Sequence, residues 1–193
     1  MISQPKILAF AGSLRKHAFS KRVVKTALKG AEQAGADVTF IDLGDYPLPL
    51  YNPDDHEALG FHQNALSLQN LMAQHEGFLI ASPEYNGSLS AVLKNTIDWA
   101  SRKSDQYEMG QVFAGKVAAI MTSSPGSLGG IRALTHLRGV LTAVRLIVLP
   151  QEISVPFAGN KFNGDEEEMI DEKVRRNLES LGAGLVAMLS RLQ

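Results

Sequence analysis

Short apolar runs alternate with longer amphipathic stretches along the chain. Residues 6–11 (KILAFA) form a compact apolar run closed by Gly12 and read as a buried strand. Beyond about Phe19, apolar residues fall at Val23, Val24, Ala27, Leu28, Ala31 and Ala34, the spacing of one helix face. Gly35 stands where a left-handed helix cap needs it. Residues 37–43 (DVTFIDL) predict a second strand, and a Pro-rich loop at 46–51 leads to a helix over roughly 57–74. Residues 77–82 (GFLIAS) predict a third strand, stopped by Pro83. Ser90 is placed to cap a helix running through Trp99, with Val92, Leu93, Thr96, Ile97 and Ala100 on one face. Residues 116–122 (KVAAIMT) predict a fourth strand, 129–141 a helix and 145–149 (RLIVL) a fifth strand. The last helix is expected from about Gly164 or Asp165. Its first turns would carry Asp165, Glu166, Glu167, Glu168, Asp171 and Glu172, with Lys173, Arg175 and Arg176 following, an order that opposes the helix dipole favourably.

Five strands alternating with five helices imply a parallel sheet wrapped on both faces, because right-handed crossovers place the helices there. The strands are apolar almost without alternation, as strands covered on both faces are. No repeat, low-complexity tract or linker interrupts the pattern, so a single domain over 1–193 is expected. Ligands of such sheets sit outside the carboxyl ends of the strands, where the strand order reverses. Chemistry is therefore expected in the loops after the first, third and fourth strands.

Composition narrows the options. The 193 residues include 19 Lys+Arg against 20 Asp+Glu, for a net charge of −1, and no Cys. The lack of cysteine excludes disulfides, thiolate catalysis, cysteine-ligated zinc, iron–sulfur clusters and a thioether-linked flavin. Balanced charge argues against a nucleic-acid partner. No apolar run approaches the roughly 18 residues of a spanning helix, and the opening residues lack the charged and apolar regions of a signal peptide. A cytoplasmic protein with no membrane partner is the expectation. The histidines at 17, 56, 62, 75 and 136 show no HxxxH or HExxH spacing, so no metal site is expected.

The first loop, 12–20 (GSLRKHAFS), enters a helix N-terminus, where free backbone N–H groups and the dipole favour an anion. Ser13 and Ser20 add hydroxyls and Arg15 a fixed charge, which makes either a phosphate nest or a polar strand-to-helix turn. The loop is neither GxxxxGK[ST] nor GxGxxG, which disfavours nucleoside triphosphates and Rossmann-type dinucleotides. The second loop, 82–88 (SPEYNGS), gathers an aromatic ring, a carboxylate, an amide and hydroxyls; it reads either as the border of a flat heterocycle or as a turn with an incidental Tyr. The third, 122–130 (TSSPGSLGG), has small residues that let a ligand approach the backbone, or that make a flexible connector.

Four stretches together resemble the NADPH-dependent FMN reductase family, with its quinone, azo and chromate reductase members. They are Gly12-Ser13-Leu14-Arg15, Pro83-Glu84-Tyr85-Asn86 with Ser88, residues 93–99 (LKNTIDW), and 123–130 continuing through Arg132. The similarity runs in order from about residue 6 to 150. It implies a flavodoxin-like three-layer α/β sandwich, with a five-stranded parallel sheet of order 2-1-3-4-5. It also implies non-covalent FMN, with NADPH or NADH as electron donor. Ser13, Arg15 and Ser20 would hold the FMN phosphate; Pro83, Glu84, Tyr85 and Asn86 would border the isoalloxazine; Ser124 and Gly126 would pack against its pyrimidine end. The chain departs from the family pattern at Ala18 and Ser20, where Ser and Asn are usual, and at Ser90-Ala91, where Pro-Gly is usual. Ala18 has no side-chain donor, so phosphate binding would lean on Ser13, Arg15, Ser20 and backbone amides.

By the same resemblance, hydride would pass from NAD(P)H to flavin and two electrons onward to a quinone, an azo compound, free flavin or a similar small molecule. The cofactor carries that chemistry, so no protein nucleophile or base is needed. Relatives form dimers or tetramers, so a homo-oligomer is expected. Trp99 reads as packing or subunit interface, or as a flavin contact. Arg132 reads as an interface residue, a nicotinamide-nucleotide contact or a surface arginine. A flavodoxin-type electron carrier is the competing reading, weakened by a charge of only −1. A receiver-type domain would want an acidic phosphoacceptor where Ser82-Pro83 stands, and a low-molecular-weight tyrosine phosphatase would need a cysteine.

Overall fold

Strands with no polar face have to be covered twice, and this sheet is. The structure is a computed structural model that describes residues 4–164 and 168–192. Its five strands are β1 (Lys6–Ala11), β2 (Asp37–Ile41), β3 (Gly77–Pro83), β4 (Val117–Ser123) and β5 (Ile147–Val155). All neighbours pair in parallel, in the order β2-β1-β3-β4-β5. This is the flavodoxin-like arrangement the resemblance implied. Six α-helices accompany them: α1 (Phe19–Gln33), α2 (Pro53–Leu59), α3 (Gln63–Ala73), α4 (Ala91–Ala100), α5 (Ile131–Ala143) and α6 (Glu172–Leu192).

Alternate strand residues feed two cores. Ile7, Ala9 and Ala11 of β1 join Val23, Val24 and Ala27 of α1 and Leu178, Leu185 and Leu189 of α6. Leu8 and Phe10 join Leu68 and Met72 of α3, Leu93 and Ile97 of α4, and Leu134, Leu137 and Leu141 of α5. Helices α1 and α6 thus cover one face, and α3, α4 and α5 the other.

Four of the differences from the sequence reading have a plain physical cause. The second strand ends at Ile41, where Asp42 caps a short 3-10 turn over Leu43–Asp45 through its carboxylate. The helix expected over 57–74 is two helices. Gly60 (φ +82°) closes α2, and the His62 ring nitrogen accepts from Asn64 N–H to cap α3. The fifth strand runs on through Pro150 to Val155, because an edge strand tolerates a residue without an N–H. The last helix starts at Glu172, with the Asp171 carboxylate accepting from Val174 N–H. Asp165, Glu166 and Glu167 lie outside the described residues, and Glu168 precedes the helix.

Strand register brings the three expected loops together. Ala11 lies beside Ala81, and Pro83 beside Ser123. Gly12 N–H donates to the Ala81 carbonyl at 2.8 Å, so the first loop leaves the sheet against the third strand. A methyl on Gly12 would meet Ser90 Oγ at 2.6 Å and Leu93 Cβ at 2.7 Å, which is why this position is glycine.

Candidate active site

Helix α1 begins without a side-chain cap. Its N-cap residue, Ala18, has extended geometry and no oxygen to offer, so the first amides of the helix keep their donor capacity. Around this N-terminus lies a cavity of about 140 Å³ lined by Ser13, Arg15, Ala18, Phe19, Ser20, Pro83, Glu84, Tyr85, Ser123, Ser124 and Pro125. All three loops contribute, as the strand order requires.

Ser20 and Ser123 are 1% and 3% exposed, and neither hydroxyl has a hydrogen-bond partner among the described residues. A buried, unpaired hydroxyl costs about 1–3 kcal/mol unless a ligand or water completes it. Both residues line this cavity, and with the uncapped helix N-terminus and the exposed Arg15 they make a set of donors that suits an oxygen-rich anion. Ser123 lies in the third loop, but the sequence reading assigned the ligand to its neighbour Ser124 instead. It ends β4, and nothing in the sequence separates it from its neighbour Ser124. Ser124 instead spends its Oγ on Gly126 N–H at 3.1 Å, and its backbone pairs with Val155 and Ala158. Its side chain shapes the loop from within.

The second loop is a tight reverse turn. Tyr85 and Ser88 exchange backbone hydrogen bonds at 3.0 and 3.1 Å, while Asn86 (φ +51°) and Gly87 (φ +82°) take left-handed conformations. Asn86 is here because it tolerates this conformation. The turn lifts Tyr85 to 51% exposure between the small cavity and a broad, open one of about 940 Å³. The larger cavity is lined by Tyr85, Asn86, Ser88, Leu89, Ala91 and Lys94 on one side and by Thr135, His136, Gly139 and Val140 on the other. Its walls are mostly apolar and its size is that of a site for an organic ligand, about 300–1,000 Å³.

Glu84 lines the small cavity, but its carboxylate is bound elsewhere. It accepts from Arg132 Nε at 2.9 Å, from Arg132 Nη2, and from the N–H groups of Arg132 and Ala133 at 3.1 and 3.3 Å. These donors, the Arg132 side chain foremost, hold its pKa below the ordinary carboxylate value. Of the nine residues expected at the ligand, seven line the small cavity, Asn86 lines the large one, and Gly126 lines neither. Trp99 is 3% exposed and packs among Tyr51, His56, Phe61 and His62, with its indole N–H on the Pro49 carbonyl; that environment is packing. Among the described residues, no group of three or more metal-ligating side chains occurs.

The model of the NADPH-dependent FMN reductase family matches residues 5–160. The chain is 33% identical over 189 residues to an NAD(P)H-dependent FMN reductase of Pseudomonas aeruginosa, with 97% of each chain covered. It is 34% identical over 173 residues to a quinone reductase of Escherichia coli, covering 89% of this chain and 88% of that one. Among solved structures, a flavoenzyme NAD(P)H:(acceptor) oxidoreductase from Paracoccus denitrificans superposes with a TM-score of 0.81 at 27% identity, over 97% of this chain and 98% of that one.

Proposed function

The chain belongs to the NADPH-dependent FMN reductase family, and from that premise we propose that it is an FMN-dependent NAD(P)H oxidoreductase that delivers two electrons to quinone-type small molecules. The observation that carries the reading is the pair of unpartnered, buried hydroxyls of Ser20 and Ser123 beside the uncapped start of α1. They fit the group: a phosphate takes hydroxyl and amide donors at a helix N-terminus, and Arg15 supplies the countercharge. When bound, FMN accepts hydride from NAD(P)H and passes two electrons to the acceptor.

The residues of the chain bind and orient. Ser13, Arg15 and Ser20 are assigned to the phosphate end; Pro83, Glu84, Tyr85 and Asn86 to the ring border; Ser123 joins Ser124 and Gly126 at the third loop. Tyr85 lines both cavities, so a phosphate held in the small one directs the attached ring toward the open space that a nicotinamide and then an acceptor need. That geometry supports two substrates using one opening in turn. The single-domain organisation, a homodimer or homotetramer, and cytoplasmic operation belong to the same proposal. The exposed Leu128 in the third loop and Ile131 just after it support the oligomer. No helix among the described residues is long and apolar enough to cross a membrane.

The test is anaerobic titration of the FMN-loaded protein with NADPH. Rapid bleaching of the flavin absorption, followed by reoxidation with a benzoquinone, is the expected result. A protein that holds FMN but is not bleached would be a carrier of the flavodoxin type, and one that takes up no FMN would end the reading.

A further inference from the structure

Helix α5 opens on Gly130 at φ +89°, a residue with no side chain to cap it, and no side-chain cap comes from its own N-cap position. The cap comes from another element. Glu84, in the loop after β3, accepts from the N–H groups of the second and third helical residues, Arg132 and Ala133. Its other oxygen takes the Arg132 guanidinium. The Glu84 side chain is 7% exposed, whereas that of Arg132 is 61% exposed. The contact is therefore a buried carboxylate on a helix N-terminus, with an arginine laid over its solvent side.

Three further contacts lock the same junction. A methyl on Gly130 would meet Thr122 Cβ at 2.9 Å and Glu84 Cβ at 3.4 Å, so the helix start is packed between β4 and the Glu84 side chain. Thr122 Oγ1 donates to the Gly129 carbonyl at 3.0 Å. One turn further along α5, His136 Nδ1 lies 3.0 Å from Ser88 Oγ, at the other end of the Tyr85 turn. The loop at 83–88 is thus tied to α5 at two points four residues apart. The Gly-rich loop at 124–130 runs directly into the first of them. Both walls of the candidate flavin site are fixed to one another through Glu84 rather than through the sheet alone.

We propose that Glu84 is a positioning residue: by capping α5 from outside the helix it sets the separation of the 83–88 and 124–130 loops, between which the ligand ring is held. The identity of that ligand rests on the reductase reading; the coupling of the two loops does not. Glu84→Ala removes the cap and the arginine partner. Glu84→Gln keeps volume and one oxygen acceptor. Arg132→Met leaves the carboxylate free to cap α5.

The order Ala, then Gln, then Arg132→Met is expected in two readouts. In amide hydrogen exchange of the flavin-free protein, Glu84→Ala accelerates exchange across 124–135, Glu84→Gln does so by less, and Arg132→Met leaves it near wild type. In fluorescence titration with FMN, affinity falls about tenfold, about threefold and under about twofold in the same order, the scale of a charge-assisted hydrogen bond and of its partial loss. A merely structural loss would lower the melting temperature without confining the faster exchange to 124–135. Unchanged exchange in that segment for both Glu84 variants overturns the proposal whether or not FMN binds, and the isosteric Gln variant keeps the test open if the Ala variant does not fold. Failure of the wild-type protein to bind FMN overturns the reductase reading and leaves the exchange result to decide the coupling.

Discussion

On the proposed reading Ser123 and Arg15 serve the ligand in physically different ways, and substitution separates them. The Ser123 hydroxyl is buried without a partner, so the ligand-free protein bears its desolvation cost. Ser123→Ala is therefore expected to leave the apoprotein as stable or slightly more stable. The same change should weaken FMN binding by about 1 kcal/mol, roughly fivefold. Thermal melts with and without FMN check both signs at once; a destabilised apoprotein would mean that the hydroxyl has a partner in the empty site. Arg15 is exposed, and its own N–H leans on Ser13 Oγ at 3.3 Å. Arg15→Ala should leave apoprotein stability unchanged and weaken FMN binding by about 1.5–3 kcal/mol, the scale of a charged hydrogen bond. Isothermal titration at low and high salt checks it, since screening should narrow the gap between wild type and variant.

Helices α1 and α6 cross so closely that glycine is required on both sides. A methyl on Gly30 would lie 2.0 Å from the Glu179 carbonyl oxygen, and one on Gly182 would lie 2.0 Å from that of Ala27. Gly184, two residues on, faces open space. Gly30→Ala and Gly182→Ala should each cost about 2 kcal/mol net, the overpacking penalty less the gain in helix propensity. Gly184→Ala should stabilise by up to about 1 kcal/mol, because only the propensity term remains. Urea denaturation of the three variants measures the contrast, and equal effects at 182 and 184 would refute the close crossing. This crossing was not legible in the sequence, where both glycines are simply small residues inside amphipathic runs. The strands and their facing helices were legible, because burial on both sides leaves unbroken apolar runs. The misplaced boundaries at Gly60, Pro150 and Asp171 are places where capping or an exposed sheet edge outweighed periodicity. The site divides in the same way. Three loops at adjacent strand ends could be read from strand order. Glu84 on α5 could not, because the two are paired across 48 residues by folding alone.

The loops of the candidate site lie at the carboxyl ends of the strands, and a charged group at the opposite end of the sheet is expected to make stability depend on pH independently of them. Lys116 immediately precedes β4, half-buried, and donates to the last carbonyls of α3, those of Met72 and Ala73. Its ammonium stands 5.9 Å from the centre of the Phe78 ring. Burial lowers its pKa from 10.5 to about 8, against the pull of Glu76 in the other direction. The folded protein therefore releases this proton above about pH 8, whereas the unfolded chain keeps it to about 10.5. Between those values the unfolded state binds more protons, so unfolding free energy rises with pH; below about 8 the native state carries the full penalty of the buried charge. With allowance for solvent screening at a half-exposed site, the rise attributable to Lys116 is about 1–2 kcal/mol. Lys116→Met should abolish it, so the wild-type-minus-variant difference in unfolding free energy, measured in urea from pH 7.5 to 10, should slope upward through that interval. A flat difference would mean that the ammonium is solvated in the native state. Because Lys116 lies across the sheet from the cavity, FMN affinity at fixed pH should be the same in both proteins, which separates this effect from any titration within the site.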